Sequence, residues 1–143
     1  MIKRTMHDCA EGDYKFVLKT YKLDVEDSDC RNWVLVICQQ MVEKIIKALI
    51  ELKSGKKHKI HNLRNLMNEY DYKLTKENFE ILTRLTDFYY DNRYPNEYVS
   101  PLTVDEFLEI VEESLELYRK LDKEYEKLKG YCNSDMKPTN SFE

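Results

Sequence analysis

The sequence predicts an all-α protein, an up-and-down four-helix bundle with one additional short helix. Three observations carry this. Only three Gly and three Pro interrupt 143 residues, so breaks are few and long helices are favoured over many short strands. Apolar residues recur at three- and four-residue spacings through most of the chain, the mark of one buried helical face. Hydrophobic residues at 42% and charged residues at 35% suit a folded domain of amphipathic elements and exclude a disordered chain. Long amphipathic helices with short connections pack antiparallel around one core, which a chain of this length can bury without disulfides or metal.

The first helix is expected from about Asp8 to Leu23, with Tyr14, Val17, Leu18 and Tyr21 on its inner face. An acidic break, Asp24 to Asp29, supplies cap candidates for a long second helix from about Asp29 to Lys53. Its stripe is Trp33, Ile37, Met41, Ile45, Leu49 and Leu52, and Ser54-Gly55 closes it. Ile60, Leu63, Leu66, Met67 and Tyr70 suggest a short third helix. A fourth starts near Thr75 and carries Phe79, Leu82, Leu85, Phe88 and Tyr89 inward until Arg93-Tyr94-Pro95 breaks it. Thr103 to Glu106 reads as a capping box, flanked by Leu102 and Phe107 as a hydrophobic staple. The last helix follows through Val111, Leu115, Tyr118, Leu121, Tyr125 and Leu128, and Gly130 is expected to end it. The domain therefore covers residues 1–130, with a loosely held tail over 131–143.

A net charge of −4 argues against a protein that coats nucleic acid through bulk electrostatics. The charge is uneven: Lys53 to Arg64 is basic and Asp105 to Glu116 is acidic. Both read as a solvated loop and a solvated helix face, or the basic loop lies beside a phosphate-binding cleft. Cys9, Cys30, Cys38 and Cys132 form no C-x-x-C pair, and Cys38 reads as a small buried hydrophobe. No apolar leader follows Met1, and the longest apolar run, Trp33 to Cys38, is too short to span a bilayer, so a cytoplasmic protein without membrane contact is expected.

Three stretches hold polar groups where a plain bundle needs only apolar spacing: Cys38 to Ala48, His61-Asn62-Leu63, and Tyr89 followed by Asn92-Arg93-Tyr94-Pro95. On the long helix, Gln40, Lys44 and Lys47 share one face, and Gln39, Glu43 and Lys47 share another slightly rotated from it. An ordinary polar face with a Glu43 to Lys47 pair accounts for this as well. His61 precedes a short helix, where a histidine is commonly a cap or a hydrogen-bonded structural group. His58 and His61 have no carboxylate or thiolate partner in their segment, so neither a metal nor a cofactor is expected. Arg93 is the strongest candidate, because a guanidinium at a helix break can hold a phosphate through two parallel hydrogen bonds, with Asn92 and Tyr94 as neighbouring donors. Alternatively Arg93 and Asp91 stabilise the helix end. Tyr89, Tyr90, Tyr94 and Tyr98 cluster there, and such rings line binding surfaces or dimer interfaces.

In this order and separation, from about Ala10 to Lys129, the three stretches resemble the HEPN family (higher eukaryotes and prokaryotes nucleotide-binding domain). They are most similar to its bacterial and archaeal branch, with a Gln-Gln-x-x-Glu-Lys helix and an Arg-Tyr-Pro turn. The resemblance implies a helical bundle, a homodimer, and Gln40, Glu43 and Lys44 near a central groove where they orient Arg93 or contact a ligand. It also implies a possible nucleotide, RNA or small nucleotidyltransferase partner in a toxin-antitoxin-like system. Many HEPN ribonucleases place a His after four to six residues from an Arg. Here Arg93 is followed by Tyr94-Pro95-Asn96-Glu97-Tyr98-Val99-Ser100, with Tyr98 at the shortest spacing. A phenol of pKa near 10 is a poor base at neutral pH. The expectation is a non-catalytic HEPN-type binding module. The alternatives are a divergent metal-independent ribonuclease using Arg93, with Tyr98, His61 or Glu43 handling protons, and a purely scaffolding bundle.

Overall fold

The computed structural model describes residues 2–57, 59, 61–70, 75–93 and 102–135, the side chains of 90–93 and 131–135 excepted. Five helices are present among them: α1 (Met6–Thr20), α2 (Ser28–Ser54), α3 (Leu63–Tyr70), α4 (Lys76–Arg93) and α5 (Val104–Asp135). No described residue is in a strand, and no helix is long and apolar enough to cross a membrane.

Local chemistry sets most of the ends. Thr5 and Asp8 close a reciprocal capping box, Thr5 Oγ1 accepting from Asp8 N at 3.0 Å and Asp8 Oδ2 from Thr5 N at 2.9 Å. Helix α1 therefore begins at Met6, two residues before the expected start, and ends at Thr20 rather than near Leu23. Asp27 caps α2 by accepting from Asp29 N and Cys30 N. Gly55 ends it in the left-handed region at φ 75°, donating to Glu51 O at 2.8 Å. Thr75 Oγ1 caps α4. The box expected at Thr103 and Glu106 is formed, with bonds of 3.0 and 3.1 Å. Leu102 packs against the core cluster that contains Phe107.

Helix α2 is the spine. Fourteen of its 27 residues are buried, and it packs against each of the other four helices. Lys44 of α2 reaches Asp13 of α1, while Thr5 and His7 lie by Glu51 and Phe16 lies by Trp33, so α1 runs antiparallel to α2. Phe107 lies by Val34 and Tyr125 by Ala48, so α5 runs parallel to it. The up-and-down order α1, α2, α4, α5 requires these directions.

Three inner positions differ from expectation. Trp33 is 65% exposed, and the buried side chains at that end of α2 are Val34, Leu35, Val36 and Cys38. Four-residue steps overshoot a 3.6-residue turn by about 40°, so two steps back from Met41 carry Trp33 about 80° out of the core. Leu18 and Phe79 are also exposed. Leu18 sits on the far side of Tyr14 from Ala10 and Val17, the buried residues of α1, and Phe79 lies under the Arg64 guanidinium, 4.6 Å from its centroid. Gly130 does not end α5, which continues to Asp135. Among the described glycines only Gly55 has positive φ, so Gly130 keeps a helical backbone.

Candidate functional site

The face of α2 that looks toward α3 and α4 carries three polar side chains one turn apart, Gln39, Glu43 and Lys47. All three are buried, Glu43 to 3% and Lys47 to 8% exposure. A charge at such depth requires partners, since desolvating it alone is costly. Glu43 has three. Lys47 Nζ donates to Oε2 at 2.9 Å, Gln39 Nε2 to Oε1 at 2.9 Å, and His61 Nδ1 lies 3.1 and 3.0 Å from the two oxygens. Gln39 Nε2 also donates to the His61 carbonyl at 3.2 Å, and Gln39 Oε1 accepts from Gln40 Nε2 at 2.8 Å. Backbone and ring of His61 are thus both fastened to α2, across separations of 22 and 18 residues.

The bond fixes the imidazole chemically. A carboxylate only accepts, so Nδ1 carries the proton and ligand contact falls to Nε2. The His61 side chain is 46% exposed, and its ring stacks on Tyr89 of α4 at 5.5 Å between centroids. Tyr89 is itself buried. Beside it, Thr86 Oγ1 accepts from Leu63 N at 3.3 Å, which ties the start of α3 to α4 under the histidine.

Of the residues expected from sequence, Gln40, Glu43, Lys47 and His61 are brought together. Lys44 is not. It turns to α1 and pairs with Asp13 at 2.8 Å, because one step along a helix rotates a side chain by about 100°. Gln39 and Tyr89 belong to the cluster but were not among the candidate residues. The signal for Gln39 was its four-residue spacing from Glu43. Asn92 and Arg93 are the last helical residues of α4, Arg93 one turn beyond Tyr89, and their side chains lie outside the described residues, as do Tyr94, Tyr98 and His58 altogether.

The family comparison matches the HEPN domain over residues 15–121. The match takes in roughly three quarters of the chain. The chain belongs to the HEPN family. No curated protein and no solved structure matches it.

Among the described residues, two further groups bring possible metal-ligating atoms together outside this cluster. His7 Nε2 lies 2.6 Å from Asp122 and 3.8 Å from Glu126, with the ring stacked on Tyr125 at 4.1 Å. Asp24, Asp27 and Cys30 form the second group. In the first, His7 and Asp122 satisfy one another. In the second, Asp27 is committed to the cap of α2, and burial together with the charges of Asp27 and Asp24 raises the Cys30 thiol pKa. Cys38 is fully buried, which pushes its thiol far above the ordinary range.

Proposed function

We propose that this HEPN domain is a non-catalytic binding module that takes a phosphate-bearing ligand, a nucleotide or an RNA segment, beside His61 and the Arg93 end of α4. The observation that carries the reading is the imidazole of His61, held through Nδ1 by a buried carboxylate, half-exposed, and backed by Tyr89. Such a ring offers one oriented nitrogen, an acceptor for a ribose hydroxyl or a base N–H, and an aromatic edge that suits a base. Arg93, one turn past Tyr89, supplies the charge that a phosphate requires. The missing histidine after Arg93 is the reason for preferring binding to cleavage. A homodimer is the expected assembly, and a small nucleotidyltransferase in a toxin-antitoxin-like system is the expected partner.

The second reading is a divergent metal-independent ribonuclease. It draws on the same Glu43 to His61 bond, because a carboxylate that fixes the tautomer prepares a histidine for proton transfer. The test uses a fluorescent single-stranded RNA panel and labelled nucleotides with wild type, Arg93→Ala and His61→Ala, without added metal. Anisotropy should show binding that falls about tenfold or more in both variants, the loss of one charge-assisted contact, with no cleavage on a denaturing gel. Cleavage lost in Arg93→Ala would establish the ribonuclease. Neither binding nor cleavage would reject both and leave a scaffolding bundle.

A further inference from the structure

At the other end of α2 the surface is apolar where water should meet polar groups. Phe16, Leu23 and Trp33 are 49%, 77% and 65% exposed. With Val34 and Phe107 they line a groove of about 250 Å³ between the end of α1, the start of α2 and the start of α5. Scattered apolar residues on a surface need no explanation, but three large ones around one groove mark an interaction site.

The rims say what kind of partner fits. On one side run the connection between α1 and α2 and the first turn of α2, with Asp24, Glu26, Asp27 and Asp29 all exposed. On the other, Tyr21, which lines the groove, donates its hydroxyl to Glu112 of α5 at 3.2 Å. Asp105, Glu109 and Glu116 stand at helical spacing on that same face of α5, and no Lys or Arg occurs between Val104 and Tyr118. The cations nearby are Lys19, Lys22 and Arg31 on the α1–α2 side, Lys120, which lies 3.6 Å from Glu116 at the far end of the acidic stretch, and Arg84, which faces Glu106 and Glu113. Lys22 lies over the Tyr21 ring, Arg31 donates to the Val25 carbonyl, and Lys19 sits in the last turn of α1, where a positive charge answers the helix dipole. On the neighbouring face of α5 the Glu113 carboxyl pKa is raised, by burial first and then by Glu109, with Arg84 opposing.

We infer that this corner docks a cationic amphipathic segment of a partner protein, its apolar side chains seated on Phe16, Leu23 and Trp33 and its Lys or Arg flanks meeting the two acidic rims. A second copy of the chain related by a two-fold axis is a poor occupant, since it would set the acidic corner against itself. The proposal does not rest on the His61 reading. It uses a different stretch of α2, about 15 Å along the helix from Glu43.

Trp33 is the sole tryptophan, so its fluorescence reports the groove directly. The full chain is titrated with three synthetic helical peptides: one of Leu and Lys in an amphipathic pattern, one with Glu replacing Lys, and one with Ser replacing Leu. The Leu/Lys peptide should shift Trp33 emission to the blue and protect it from acrylamide. The other two should bind about tenfold or more weaker, the scale of losing a hot spot or its charge partners. Phe16→Ser with Leu23→Ser should weaken the Leu/Lys peptide by a similar factor. Both positions are exposed, and circular dichroism verifies the fold. Asp24→Lys with Glu112→Lys tests the rims with the apolar floor intact and should also weaken it. Equal response to the Ser/Lys peptide, or affinity unmoved by either pair of substitutions, would overturn the proposal. So would Trp33 emission that is already shielded in the unliganded chain and becomes exposed on dilution, because a second copy would then occupy the groove.

Discussion

Removing the Glu43 carboxylate should be among the most damaging single polar substitutions in this protein. In Glu43→Ala the Lys47 ammonium, 8% exposed, loses its ion-pair partner, and Gln39 and His61 lose their acceptor. Breaking a buried pair from one side costs about 3–5 kcal/mol, chiefly the desolvation of the charge left behind. Lys47→Met should cost less, about 1.5–3 kcal/mol, because the carboxylate keeps its bonds from Gln39 and His61. His61 is half-exposed, so its share of the network is screened, and His61→Ala should cost about 1 kcal/mol or less. Glu43→Leu combined with Lys47→Met removes both charges together and should be less destabilising than Glu43→Ala alone. Urea unfolding followed by circular dichroism reads all four. For a domain of this size the Glu43→Ala loss corresponds to roughly 10–18 °C in Tm. A Glu43→Ala cost below about 1 kcal/mol, or a double variant costing as much as Glu43→Ala and Lys47→Met added together, would refute the account of a buried, mutually dependent pair.

Gly55→Ala should destabilise by about 1–2 kcal/mol, the cost of a left-handed backbone for a residue with Cβ, since an added Cβ meets no atom within 4 Å. Gly130→Ala should stabilise by about 0.5–1 kcal/mol, because Gly130 lies inside α5 with open space around it; chemical denaturation compares the two. Hydrogen bonds from the backbone and side chain of Thr5 lower the Asp8 pKa, and those of Thr103 lower that of Glu106. Their contribution is therefore present above the ordinary carboxylate range and lost as pH falls through the lowered values. Asp8→Asn and Glu106→Gln should weaken the protein at neutral pH and flatten its acid-side Tm profile. Glu113 is raised, so its sign is reversed, and Glu113→Gln should raise Tm at neutral pH with the gain vanishing in acid. In the native protein a thiol reagent should modify exposed Cys30 well before buried Cys38, which should react only on unfolding, as peptide mapping of the labelled sites would show.

The helices were legible because their signals are local. Gly55 in the left-handed region and the Thr103 to Glu106 box need only residues within a few positions of each other, and both appear as read. The Thr5 to Asp8 box is equally local and sets the start of α1 at Met6, two residues before the apolar periodicity places it. Positions such as Trp33 depended on something the pattern does not contain, namely where the neighbouring helices stop. A stripe counted in fours stays apolar while it winds away from the core, and nothing in the spacing says that the far end has no helix to bury it.

The candidate site shows the same division. That Gln39, Glu43 and Lys47 share a face follows from spacing alone, whereas Lys44, which spacing groups with Gln40 and Lys47, turns instead to α1. That His61 folds back onto Glu43, and that Lys44 finds Asp13, are contacts across 18 and 31 residues that no local pattern specifies. The buried carboxylate is what links these levels. A glutamate on the inner face of a spine helix is tolerated only where donors converge on it, as Gln39, Lys47 and His61 do on Glu43. Lys47, one turn away, was the partner that spacing offers. His61 is the partner that the fold adds, and it turns an internal ion pair into a side chain presented at the surface.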